Sequence, residues 1–479
     1  MLIIALASVS LLQAYTPVKS FDHFVDTHHP IKLGRYVSLG SDGHAVWVVR
    51  GKNFTLDLKG VILQGNSASG QLNTNKGIGI LLEDCQNVTL KNASVSGFRF
   101  NIMSRRSTGV HIEGCTADGS RAIQINGEHG PVDTFLNLRD LAAWRSYGAG
   151  IWIEKGVDCL VSKCAAGHAQ NGILFVDCKR CNAVENSCSY NSGWGLGVWG
   201  GDRNTLAWNH ADFCNRPWRG GWGGDAAGIV AANGAYSNQF IANSITHGGD
   251  GFFLTDKVNG GYDDKSKSFH FEGASNNNFI AHNDGSWSSH NAFEGTFSQY
   301  NLYYANRAND SKYGFWLGFS TSAFVIDNEA INEESDGVAI GQGPNNTLFR
   351  NRIERCGNAG IHIWSEGGPA EKMCPSLNNQ VCQNIITTCK QGILGEKTLK
   401  LTLSGNTLDA SAKESNDSSA MANVKQLQLL ANWKYSPTAK RLDGWFAKRP
   451  KGWQFYREMS LPKGSSALVA GQFAPEPIQ

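Results

Sequence analysis

The sequence has little of what would make it helical, strongly charged or membrane-spanning. Only 18% of its residues are charged, and Lys+Arg 43 stand against Asp+Glu 41 for a formal net charge of +2. That balance offers no general electrostatic attraction, so no nucleic-acid partner is expected. Methionine is scarce, at 5, which leaves no Met-rich route for copper. Past the first fourteen residues no apolar run approaches the roughly 20 residues of a membrane helix, so no membrane span is expected. Turn residues are abundant instead: 55 Gly and 41 Asn disfavour coiled coils and helical bundles. A chain of 479 residues exceeds what one core supports, which points to several domains or to a repeat stack that lengthens without thickening.

Residues 1–14, MLIIALASVSLLQA, form an apolar run ending in a small residue, as in a secretory signal, although no Lys or Arg precedes Lys19. A secreted or periplasmic, soluble protein is the expectation. Of the twelve cysteines, Cys178 and Cys181 have C-x-x-C spacing, but no second pair completes a zinc site. The cysteines read as small apolar fillers.

The repeat appears when Gly followed by alternating apolar residues is used as an anchor: Gly150-IWIE, Gly172-ILFV, Gly195-LGVW, Gly228-IVAA, Gly251-FFLT, Ala292-FEGT, Gly314-FWLG, Gly337-VAIG, Gly360-IHIW and Gly392-ILGE. Most neighbours are 22 or 23 residues apart. Period-two alternation makes each anchor a short strand whose first and third following residues face the core. About fourteen residues later comes a second register: Asn92, Asn186, Asn209, Asn243, Asn283, Asn306, Asn328, Asn351, Asn384 and Asn406. Asn tolerates the left-handed dihedrals of a tight turn, and stacked amides can bond from turn to turn. One strand and one Asn turn per period of 22–23 residues predict an all-β, parallel β-solenoid with an Asn ladder.

On these residues the chain resembles the right-handed parallel β-helix proteins of the pectin-lyase-like superfamily. Phe54-TLDLKGVILQG and Gly77-IGILLEDCQNVTLKN resemble the opening coils of the NosD-like branch. The expected layout is a signal peptide at 1–14, an N-terminal cap and first coil at 15–75, the right-handed β-helix at 76–410 and a basic capping segment at 411–479. Residues 424–463 of that segment carry nine Lys or Arg against Asp443 and Glu458. Capping protects the open end of a solenoid.

Side chains outside the core line up from coil to coil. The second residues after the anchors form the column Trp152, Leu174, Gly197, Val230, Phe253, Glu294, Trp316, Ala339, His362 and Leu394. The next outward column includes Glu154, Trp199, Thr255, Thr296, Trp364 and Glu396. Aromatic side chains on a flat wall suit stacking against sugar rings. Long insertions after Asn209 and after Gly251 are expected to wall a groove holding Asp225, His247, Asp250, Asp256, His270, Glu272, His290 and Glu294. Trp199, Trp218, Arg219, Trp222, Phe253, Lys257, Trp316, His362 and Trp364 are the expected substrate contacts.

Glu294 is the leading catalytic candidate, because its column neighbours Phe253 and Trp316 would desolvate its carboxyl and keep it protonated as a general acid. Asp225, Asp250, Asp256 and His290 complete the catalytic set. An inverting glycoside hydrolase would pair Asp250 or Asp256 with Glu294 at about 6.5–9.5 Å. A lyase or epimerase of an acidic sugar would draw on Arg219, Lys257, Lys265 or His290, and the acidic groups could hold Ca²⁺. The N-T-D, D-D, G-H-G and R-I-K set of polygalacturonases and the D-P-H-D of alginate epimerases are missing. The expected partner is a polysaccharide, acted on by a monomer. The competing expectation is a non-catalytic, NosD-like accessory or carbohydrate-binding protein.

Overall fold

Short strands joined by tight corners build the chain. The computed structural model describes residues 15–66, 71–122, 137–216, 223–256, 261–263, 268–365, 375–409 and 414–416. Each coil crosses three faces. One is a 15-stranded sheet and one a 13-stranded sheet; the third has four strands near the N-terminal end and five near the C-terminal end. Single bridges such as Ser187↔His210 and His210↔Ser244 connect its two parts. Among the described residues the one antiparallel pair is the hairpin of Gly261–Asp263 with Ser268–His270, in the insertion after Gly251. The architecture is the expected parallel β-helix.

Its ends differ from the expected layout. Thr16 already pairs with Tyr36, His23 with Trp47 and Tyr36 with Leu63, so the segment 15–75, expected to hold a cap and the first coil, winds more than one coil. At the other end Glu414–Asn416 adds a strand to the long sheet by pairing with Ile393–Gly395. The signal at 1–14 and the basic segment from 417 onward lie outside the described residues.

The Asn ladder exists, but for a different reason than turn propensity. The positive φ falls on the residue before each Asn, as at Glu185 (φ 56), Trp208 (φ 55) and Ala242 (φ 52). The Asn side chain instead points inward. Asn209 Oδ1 accepts from the Asn186 backbone N at 3.0 Å and from its Nδ2 at 2.9 Å, while Asn186 Nδ2 also donates to the Val161 carbonyl at 3.0 Å. The pattern continues through Asn243, Asn283, Asn306, Asn328, Asn351, Asn384 and Asn406. A carboxamide suits this place because it donates twice and accepts twice, satisfying backbone groups that water cannot reach.

Asn92 is not in the ladder: it is itself the left-handed residue (φ 56) and bonds Asp57. Cys115 and Cys164 take the ladder positions of the early coils, with the Cys164 N–H donating to Asn186 Oδ1 at 2.9 Å. The eleven described cysteines are free and buried, as small fillers of the interior. A second ladder, through Asn204, Asn238, Asn278 and Asn301, was not foreseen.

The anchor glycines serve close approach. A Cβ on Gly251 would sit 2.5 Å from the Ala292 carbonyl oxygen, and one on Gly228 would sit 2.6 Å from Ile245 Cβ. A side chain at either position would collide with the backbone or the core it faces.

Candidate functional site on the long sheet

Strand pairing assembles the outward column in the expected order. Val230 pairs with Phe253, Phe253 with Glu294, Glu294 with Trp316, Trp316 with Ala339, and Ala339 with His362.

The wall divides into a covered half and an open half. From Trp152 to Phe253 the column is buried, together with Val176, Trp199 and Ala232 beside it. The cover is the chain Leu138–Tyr147, including the helix Leu141–Tyr147, whose N-terminus is capped by Asp140 accepting from Ala142 N at 2.8 Å. Trp144 is fully buried, 4.2 Å from the Trp194 ring and 4.9 Å from the Trp199 ring. Asn233 holds the other end of the cover through the Leu138 carbonyl. Trp199 and Phe253 are therefore packing residues rather than the exposed sugar contacts expected. Apolar wall left in water would cost about 25 cal/mol per Å², which the cover avoids. The clue in the sequence was the stretch before residue 145 where the repeat becomes irregular.

Beyond Phe253 the wall opens. Glu294, Tyr313, Trp316, His362 and Trp364 are partly exposed. Their rings touch: Tyr313 and Trp316 at 5.0 Å, Trp316 and Trp364 at 5.5 Å, His362 and Trp364 at 4.5 Å. Tyr313 was missed because it stands one place before its anchor, outside the alternating pattern.

At the boundary lies a network of acids. Asp250 is buried; its Oδ1 accepts from the Asn291 backbone N at 2.9 Å and lies 3.2 Å from His290 Nδ1. Asn291 Nδ2 donates to Glu294 Oε2 at 2.5 Å and lies 2.9 Å from His290 Nδ1. Among the described residues, the buried Asp250 Oδ2 and Asn291 Oδ1 have no hydrogen-bond partner. Burial, then the charges of Asp250 and Asp225, push Glu294 well above the usual carboxylate range, against the Asn291 hydrogen bond. Burial and Asp250 likewise push Asp225 up to about 7. Glu294 is thus a carboxyl of raised pKa beside a second one.

Part of this network is structural. Asp22 likewise accepts from Ala45 N and pairs with His44, and Asp336 accepts from Ala359 N and from Asn358 Nδ2. An Asp before the anchor thus recurs as the group that holds the next coil. What distinguishes the Asp250 coil is Glu294 four residues after His290, and the unpartnered oxygens.

Other expected residues do not join this cluster. Asp256 is buried, accepting from Gly234 N at 2.5 Å and Ser275 Oγ at 3.1 Å, and so supports the fold. His247 lies in a separate stack, 4.6 Å from Phe213 and 5.1 Å from Trp287. His270 and Glu272 are exposed on the insertion. Trp218, Arg219, Trp222, Lys257 and Lys265 lie outside the described residues. His362 stands apart from Glu294, between Asp336 at 3.4 Å and Glu396 at 3.2 Å.

Asp250, His290 and Glu294 bring one ligand atom each within 4.8 Å of one another and are the residues that could hold a divalent cation. An imidazole with two carboxylates suits a transition metal better than Ca²⁺, which prefers six to eight oxygens. Yet the Asn291 amide N–H donates to Glu294 where a cation would compete.

The family model described as right handed beta helix region matches residues 38–211, 223–371 and 267–424. The chain belongs to the right-handed β-helix family. No curated protein sequence matches it. Solved structures similar to this right-handed β-helix include the Dettilon tailspike protein gp208, at 12% identity and TM-score 0.40, covering 75% of this chain and 62% of that one. The periplasmic alginate epimerase AlgG is 9% identical with TM-score 0.38, covering 76% of this chain and 78% of that one. The A-module of the Azotobacter vinelandii mannuronan C-5 epimerase AlgE6 is 11% identical with TM-score 0.40, covering 80% and 90%.

Proposed function

We propose that the protein hydrolyses glycosidic bonds of a polysaccharide laid along the open half of the long sheet, with Glu294 as the proton donor. The observation that carries this reading is a partly buried carboxyl of raised pKa on the strand next to the partly exposed rings of Tyr313 and Trp316. The rings suit the apolar faces of pyranoses. Protonated Glu294 gives its proton to the glycosidic oxygen as the bond to the anomeric carbon breaks, water supplies the hydroxyl to that carbon, and the water's remaining proton restores Glu294. Negative charge on Asp250 stabilises the positive charge developing on the sugar ring. An oxygen of Asp250 lies within 4.8 Å of one of Glu294, closer than the about 6.5–9.5 Å of an inverting pair. Asp256 accepts hydrogen bonds from Gly234 N and Ser275 Oγ.

After burial itself, the groups that act on Glu294 are two acids and an amide. A site of that charge favours a neutral glycan over a uronate, whose carboxylate would add a like charge. Reading residues 1–14 as an export signal brings the protein to polymers outside the cytoplasm.

The test incubates the full-length protein with linear xylan, β-mannan, β-1,3-glucan and alginate, following new reducing ends and the absorbance of unsaturated uronates. Reducing ends without that absorbance support hydrolysis. The absorbance would replace hydrolysis by elimination, and retention on an affinity gel without cleavage would leave a binding protein.

A further inference from the structure

The two sides of Glu294 are unlike. In the preceding coil its partner Phe253 is buried, and every outward residue of that column back to Trp152 is buried too. The cover is built in: a Cβ on Gly197 would lie 3.5 Å from Trp144, so the helix lies directly on the wall. In the following coil its partner Trp316 is partly exposed, and Trp364 is partly exposed two coils further on. Glu396, which pairs with Trp364 in the next coil, is exposed. Among the described residues, the face opens toward the C-terminal coils.

Coils repeat at about 4.8 Å, close to the length of one sugar unit in an extended glycan. A chain lying along this face therefore advances about one unit per coil, with Trp316 and Trp364 as stacking positions. In the other direction the chain meets a filled step at Phe253.

We propose, resting on the hydrolase reading, that the covered step makes the protein exo-acting: a glycan end abuts Phe253, the rest of the chain runs over Trp316 and Trp364, and short units are removed from that end. Each event breaks one glycosidic C–O bond and consumes one water, whose hydroxyl goes to the anomeric carbon while the leaving oxygen takes a proton. Trp144 and the Leu138–Tyr147 cover are positioning residues in this account, because they decide where the chain must stop without touching the reacting atoms.

The test follows viscosity and reducing ends together on the glycan that the full-length protein cleaves, and sizes the products from its hexasaccharide. The expected result is one short product from the start, with at least tenfold less viscosity loss per new reducing end than an endo-acting hydrolase gives. Trp364→Ala should raise KM several-fold for the hexasaccharide and leave that for the disaccharide unchanged. A broad ladder of early products with rapid viscosity loss, abolished by Glu294→Gln, overturns the exo assignment and keeps the hydrolase reading. If no glycan is cleaved, the hydrolase reading fails and binding decides the step. Retention of linear β-1,3-glucan but not of cyclic glucan supports a required chain end, and equal retention of both overturns it.

Discussion

Asp250 and Glu294 sit in adjacent coils, and one residue joins them: Asn291 gives its backbone N–H to Asp250 and its side-chain amide to Glu294. Two acids are thereby held close in a largely dry place. Burial and the charges of its acidic neighbours push the Glu294 carboxyl well above the ordinary carboxylate range.

Replacing Glu294 with Gln keeps the shape and the Asn291 contact partner but removes the proton donor. Cleavage should fall by about 10²-fold or more, while the affinity for glycan in gel retardation stays within a few-fold of the parent.

Stability should depend on pH in a defined direction. Asp225 has a folded-state pKa of about 7 against an ordinary 3.8, so between those values the folded chain binds more protons than the unfolded one. Stability contributed by this group therefore declines as pH rises from about 4 to 7. Asp225→Asn should flatten part of that decline and raise Tm at pH 7, read by thermal denaturation across the range. Below pH 4 the opposite sign applies to Glu83, which Arg50, Arg106 and Arg105 hold at about 2 despite its burial; that contribution is lost as pH falls.

Asn243 donates to Leu206 O and Asn283 Oδ1, and accepts from Asn209. Asn243→Ala leaves buried partners unpaired and should cost about 2–4 kcal/mol. Chemical denaturation should show the loss, and the exposed variant Ser20→Ala should not.

Treatment with EDTA should leave cleavage unchanged, since the proton network at Glu294 performs its role without a cation. Millimolar Zn²⁺ should inhibit, and more strongly at higher pH, because the cation competes with the proton on the same ligands. Reducing-end release measured with and without each reagent checks both.

Much of the fold was legible because a solenoid repeats its constraints. The anchor glycines recur where coils come closest, and the inward pairs such as Ile361 and Ile363 are both fully buried. The Asn positions were visible as a period, yet their purpose was not, since a residue that turns the chain and one that satisfies its interior have the same spacing. The neighbours of Glu294 were legible for the same reason of register. Tyr313 and Asn291 were not, because both precede the alternating part of their strands.

The sequence by itself determined the winding, the identity of the wall residues and which of them face each other, since period and parity are local properties that stacking propagates from coil to coil. Only the tertiary structure decided which part of the wall meets solvent. Trp199 and Trp316 both stand on it, and one is buried because the helix carrying Trp144 packs across the earlier coils. That outcome depends on a segment outside the repeat, whose docking no periodicity encodes.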